Sequence, residues 1–271
     1  MSDRVSVTID RGVADVRLNR PDKINALDPD MFTALVEAGE ALKTNTSVRA
    51  VVLSGEGRGF CAGLDFASFQ TMAGSDGSAQ LPRASVTPPP ERITNHGQHA
   101  AWVWQELAVP VIAAVHGVAL GGGCQIALGA DIRIVAADAR FSVLEIRWGL
   151  IPDMTGTQML PRLVGLDVAK ELTFTGRMVT GTEAVEIGLA TRVSEHPLDD
   201  ALALAREIAG KNPEAIRGAK SLLNMAGGVS LAEGFKAEER TIRGLIGSPN
   251  QVEAVMAYFD KREPVFVDPK N

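Results

Sequence analysis

Two carboxylates stand eight residues apart, Glu145 and Asp153. A carboxyl group in an apolar pocket has its pKa pushed toward neutrality, which suits it to take and return a proton near pH 7. The residues alone leave another reading open, with Glu145 paired to Arg147 or Arg162 and Asp153 capping a helix over Thr155–Leu160. Glycine supplies the second feature. Gly63-Leu64 follows a buried strand and a turn, and Gly121-Gly122-Gly123 sits where a strand gives way to a helix. Glycine lets backbone approach a ligand closely, and a helix N-terminus presents unpaired N–H groups. Such groups can hold an oxyanion, or the glycines can simply make turns. A P-loop is excluded, because Cys124-Gln125 follow Gly123 where Lys and Ser/Thr are required. A dinucleotide-binding fingerprint is excluded by spacing and by place in the chain.

Two cysteines, Cys61 and Cys124, cannot build a disulfide framework and read as reduced, packed thiols. His116 reads as a packed, hydrogen-bonded residue. His96 and His99 have a spacing that could hold a metal, but no third ligand is signalled, and no metal is expected. Trp148 either shapes a pocket or fills core. The net charge of −6 argues against a nucleic-acid partner, while leaving room for a local basic pocket. The N-terminus lacks a signal pattern, and Val109–Val115 is too short to span a bilayer. The expectation is a soluble cytoplasmic protein without a membrane partner.

Several elements must position these residues. Val5–Ile9 and Val13–Leu18 alternate in polarity across Arg11-Gly12, a hairpin signal. Asp28-Pro29 reads as a helix start, followed by Phe32, Leu35, Ala38 and Leu42 on one apolar face. Ala50–Leu53 is a short buried strand ending in a turn over 54–57. Residues 73–90, rich in Gly, Ser and Pro, read as a loop, either a lid or a surface insertion. A helix is expected from Glu91 to Leu107, then strands at Val111–Val115 and Ile132–Ala136 with a helical pattern between them through Ala130. Short apolar strands alternating with helices imply a sheet covered on both faces. No clean internal repeat is visible. After Pro197 only helical patterns follow: Leu198–Ala209, Pro213–Met225, Leu231–Ile246 and Pro249–Lys261, the last opened by a capping box at Ser248–Gln251.

Three stretches carry a family likeness: Asn19–Leu27, Gly59–Phe66, and Val115–Cys124 with Ala130-Asp131-Ile132-Arg133 after it. Together they resemble the crotonase superfamily of enoyl-CoA hydratases and isomerases. Phe141–Glu145, Gly156-Thr157-Gln158, Thr175-Gly176, Ala184 with Gly188-Leu189, and Phe259–Arg262 extend the likeness along nearly the whole chain, in order. The resemblance implies an α/β spiral of repeated ββα turns over residues 1–197 and an α-helical C-terminal domain over 198–271. It implies a homotrimer or a dimer of trimers. The implied partner is an acyl-CoA thioester, with CoA part of the substrate and no separate cofactor. The N–H groups of Leu64 and Gly122 would form the oxyanion hole for the thioester oxygen. Lys23, Ala26, Ala62, Gly63, Asp65 and Phe66 would lie along the pantetheine arm. Tyr258 and Lys261 would reach the nucleotide end of CoA, commonly that of a neighbouring subunit.

The sequence departs from the family at one carboxylate. Hydratases of the family use two glutamates. Glu145 matches the second, but Gln125 stands at the first. A glutamine amide can orient a water and cannot take its proton. The spacing of Glu145 and Asp153 resembles the dienoyl-CoA isomerase and hydroxyisobutyryl-CoA hydrolase branches, and the aspartate also matches the nucleophile of chlorobenzoyl-CoA dehalogenases. The dienoyl-CoA isomerase branch has Asp where Gln125 stands, so that match is partial. The expectation is double-bond isomerisation of an enoyl- or dienoyl-CoA, with Glu145 and Asp153 as proton-transfer groups. Alternatives are hydration of a 2-enoyl-CoA by Glu145 with Gln125 orienting water, hydrolysis of an acyl-CoA, and a catalytically silent CoA-binding protein.

Overall fold

The computed structural model describes residues 3–65 and 88–269. The expected hairpin is present: β1 (Val5–Asp10) pairs antiparallel with β2 (Val13–Leu18). Its link places Arg11 and Gly12 at φ 46° and 81°, the left-handed pair that a two-residue turn between twisted strands requires. From β2 onward pairing is parallel, through β3 (Ala50–Gly55), β4 (Val111–Val115), β6 (Ile132–Val135) and β9 (Arg192–Val193). The strand expected to end at Leu53 runs to Gly55, because Ser54 and Gly55 stay in register with Arg17 and Leu18.

Both faces of this sheet are buried, and alternate residues serve different cores. Val51, Leu53, Val111, Ala113 and Val115 face one cluster, with α1 (Pro29–Lys43) and α2 (His96–Glu106). Asp28 caps α1 as expected, its Oδ1 accepting from Met31 N at 2.8 Å. The second helix starts at His96 rather than Glu91. Asn95 and Gln98 form a reciprocal capping box that fixes the start there.

A smaller sheet stands beside the first. It orders β5 (Val118–Leu120), β7 (Arg140–Ser142) and β8 (Val179–Thr180). Strand β4 leads into β5 and then α3 (Gly122–Leu128), while β6 leads into β7 and a 3-10 turn at Leu144–Trp148. Each winding thus gives one strand to each sheet, which is the expected ββα spiral. The repeat is hidden in sequence because its second strands are only three residues long. Helices α4 (Gly156–Val164), α5 (Leu166–Thr175) and α6 (Gly181–Glu186) close this layer.

The chain ends in α7 (Pro197–Ala209), α8 (Pro213–Met225), α9 (Leu231–Leu245) and α10 (Pro249–Phe259). Helix α7 sets Ala201, Ala205 and Ala209 against Val13, Ala50, Val52, Ile112, Ala114 and Ile134, the second face of the main sheet. The first helix of the C-terminal segment thus completes the second core. Helix α8 is pinned by buried Lys220, which pairs with Asp131 at 2.7 Å and donates to the carbonyls of Trp104 and Val109. At α10, Ser248 accepts from Gln251 N, but Gln251 Oε1 accepts from Gly247 N rather than from Ser248, so the expected box closes one residue early. Among the described residues no helix is long and apolar enough to cross a membrane.

Candidate active site

Backbone pairing brings the two glycine motifs together. Cys61 bridges Ala119 in parallel, with Cys61 N donating to Val118 O at 2.9 Å and Leu120 N to Cys61 O at 3.0 Å. The same segment bridges Leu27 through Leu64 on its other side. Three residues beyond that bridge in each segment stand Leu64 and Gly122, and the intervening Gly63 packs on Leu120 and Gly121. Gly63 has φ 86°, and a Cβ there would stand 2.6 Å from Leu120 O, so only glycine allows this approach. A Cβ on Gly122 would meet Leu27 Cδ1 at 2.7 Å and Met154 Sδ at 2.8 Å. Among the described residues no backbone acceptor takes the N–H of Leu64 or of Gly122.

Glu145 lies against the second motif: a Cβ built on Gly121 would be 3.3 Å from its Oε1. The side chain is buried, and among the described residues it has no cationic partner, so the pairing with Arg147 or Arg162 does not form. Its Oε1 accepts from Gln125 Nε2 at 2.7 Å, while its buried Oε2 meets no protein partner. Burial pushes the carboxyl up from its ordinary value, the Gln125 hydrogen bond works in the opposite direction, and the Asp153 charge raises it further. Loss of hydration likewise raises the Asp153 carboxyl, although part of that side chain is open to solvent. Asp153 does not cap a helix. Helix α4 begins at Gly156 behind Thr155, whose side chain makes no cap bond.

Gln125 is fully buried and already committed. Its Oε1 accepts from Met154 N at 2.8 Å and Gly156 N at 2.9 Å, which fixes the amide's orientation and leaves Nε2 facing Glu145. The expected water-orienting amide thus has its oxygen filled by backbone donors. Between those donors lies Thr155, a β-branched residue at φ 74° with a buried, unpartnered Oγ1. A β-branched residue in that region is strained by roughly 1–3 kcal/mol. Sequence reasoning missed Thr155 and Met154, and the only visible signal was their nearness to Asp153.

The remaining candidates divide. Ala26 and Gly63 are buried beside the bridged segments, and Ala62 N donates to Ile24 O at 2.9 Å. Lys23 is exposed at the end of a short 3-10 turn. The Asp65 carboxylate forms an ion pair with Arg20, so its side chain serves the loop's own structure. Phe66 and residues 73–87 of the expected loop lie outside the described residues. Tyr258 (81% exposed) and Lys261 join none of this cluster through a described hydrogen bond or ion pair. Trp148 is 49% exposed and fills no core. Ile146, Leu150 and Ile151, its neighbours in the chain, are exposed as well.

Both thiols are buried and pushed up to about 12 by that burial, in keeping with packed cysteines. His116 Nε2 bonds to Gly57 O. His96 and His99 do not form a pair of ligands. His99 instead meets Glu40 at 2.6 Å and Thr94 at 2.9 Å, and ligand-type atoms of Glu40, His99 and Glu106 lie within 4.8 Å of one another. Lys43 is ion-paired to both carboxylates of that group, and Arg92 adds a second cation 3.4 Å from Glu40.

Comparison with known proteins identifies the family. Residues 8–269 match the family model described as enoyl-CoA hydratase/isomerase. The mitochondrial methylglutaconyl-CoA hydratase of Mus musculus is 35% identical over 261 residues, covering 94% of this chain and 79% of that protein. The peroxisomal Delta(3,5)-Delta(2,4)-dienoyl-CoA isomerase of Arabidopsis thaliana is 34% identical, covering 95% and 93%. The crystal structure of an enoyl-CoA hydratase from Bacillus anthracis superimposes with a TM-score of 0.87 at 32% identity, covering 97% and 98%. A family-model match over residues 8–269 and a likeness that runs the length of the chain lead to one conclusion: this protein is an enzyme of the enoyl-CoA hydratase/isomerase family, with the crotonase fold.

Proposed function

We propose that the protein moves a double bond within an enoyl- or dienoyl-CoA, using Glu145 as base and Asp153 as the second proton-transfer group. Glu145 carries this reading: a buried carboxylate with one oxygen held and the other unpartnered, beside Gly121-Gly122. Its free oxygen takes a proton from a carbon activated by the thioester. The C–H electron pair moves into the conjugated system, and negative charge gathers on the thioester oxygen. The Leu64 and Gly122 N–H groups stabilise that oxygen; removing one such donor typically costs ~10²–10³ in rate. A proton then returns to a different carbon from Glu145 or from Asp153, and the double bond has shifted. Loss of hydration raises the Asp153 carboxyl from its ordinary value, the direction that favours a proton donor.

Addition of water is the second reading, favoured by the name of the mouse relative. The filled amide oxygen of Gln125 counts against it, since that amide cannot accept a hydrogen bond from the water. The exposed apolar residues of the C-terminal helices, among them Phe235, Ile242 and Phe259, support assembly as a trimer or dimer of trimers. Tyr258 and Lys261 would then serve a neighbour's CoA.

Glu145→Gln tests the assignment. Isomerisation of a panel of enoyl-CoA thioesters, followed by mass spectrometry, is expected to fall at least ~10²-fold with CoA binding retained. Turnover near the wild-type rate on every accepted thioester would remove Glu145 from the mechanism. Formation of 3-hydroxyacyl-CoA would favour hydration, free-thiol release would favour hydrolysis, and binding without Cα-proton exchange would mark a silent binder.

A further inference from the structure

Gln125 replaces a carboxylate, and it does more than leave a position empty. Its amide makes three hydrogen bonds to partners 20, 29 and 31 residues away. One ties the Glu145 carboxylate. The other two grip the backbone on either side of Thr155, in the turn that carries Asp153. Both acids are therefore registered against one buried side chain. We propose that Gln125 is the positioning residue of this site: its N–H donor fixes Glu145 as an oriented carboxylate base while its carbonyl holds the strained Asp153 turn in place. This inference rests on Glu145 being the base.

The chemistry of the alternative shows why an amide matters. A glutamate at 125 could accept the same two backbone N–H groups. Its other oxygen would then face Glu145 Oε1 at about the 2.7 Å now spanned by the hydrogen bond. Two carboxylates that close share a proton, which leaves only at raised pH. An amide donates whatever the pH, so Glu145 keeps its free oxygen available. Few other charges bear on it. The Asp153 charge and the Cys124 thiol both act on Glu145 or feel it. On the packed helix α5, Glu171 is paired with Arg177, and Asp167 and Lys170 are exposed. Arg147, on the same turn as Glu145, is exposed as well.

The test is the pH dependence of Cα-proton exchange into butyryl-CoA in deuterated water, read by mass spectrometry, for wild type, Glu145→Gln and Gln125→Glu. Gln125→Glu preserves both acceptor bonds and removes only the donor. Its acidic limb is expected to move up by about one pH unit or more, with exchange recovering to within ~10-fold of wild type at high pH and KM little changed. An unmoved limb, with exchange still abolished by Glu145→Gln, overturns the role of Gln125 and spares the base. Exchange surviving in Glu145→Gln, or absent from wild type, overturns the base and this inference with it. Should Gln125→Glu fail to fold, the infrared difference between wild type and Glu145→Gln at pH 8 decides. An ionised carboxylate band supports the proposal, and a protonated carbonyl band overturns it.

Discussion

Glu145, the proposed base, is costly to the fold. Burial raises its pKa above the unfolded value, so the folded chain holds that proton more tightly than the unfolded one. Below the unfolded pKa both states are protonated and the group is neutral for stability. As pH rises toward the folded pKa the unfolded state ionises first, and the fold loses stability. Glu145→Gln should therefore raise the melting temperature at pH 7 by roughly 2 °C or more, with the gain vanishing below about pH 4. Thermal melts of the two proteins at both pH values check this, and an equal or lower melting temperature for the variant at pH 7 would refute it. In sequence the acid pair was legible, but its environment was not. Nothing local to Gln125 announces that its amide is spent on Glu145, Met154 and Gly156. The partners lie on other turns of the spiral, and spacing along the chain says little about what the winding brings together.

The short strands do the positioning. The proposed pairing of the Leu64 and Gly122 N–H groups depends on the segment after β3 running parallel to β5 with Gly63 pressed on Leu120. Gly63→Ala places a methyl 2.6 Å from the Leu120 carbonyl on a residue at φ 86°. The two segments must separate, so activity should fall ~10²-fold or more while the far-ultraviolet circular dichroism stays native. Wild-type turnover in that variant would mean that these two motifs need not touch. Elements with strong local signals were readable: the Arg11-Gly12 hairpin and the Asp28 cap stand where their residues put them. Strands β5, β7, β8 and β9 were not, since two or three residues cannot display a period. The start of α2 was missed because the Asn95–Gln98 box outweighs the helix-compatible residues from Glu91.

The molecule is closed by its tail. Lys220 carries a buried ammonium across from α8 to Asp131 at the entry to β6, and burial lowers its pKa against the pull of that aspartate. Lys220→Met leaves Asp131 partly buried with only the Val111 N–H, and breaking such a pair typically costs ~3–5 kcal/mol. Chemical denaturation should show a loss of that order, and a change under about 1 kcal/mol would show that α8 does not depend on this ion pair. Helix α7 has a related consequence for biosynthesis. The face made by Val13, Ala50, Val52, Ile112, Ala114 and Ile134 is complete by residue 134, yet its cover, Ala201 to Ala209, is more than sixty residues further along. A nascent chain exposes that greasy sheet while the ribosome adds the intervening turns. This stretch is where a chaperone would engage it, and a chain stalled before Pro197 would be sticky rather than merely inactive.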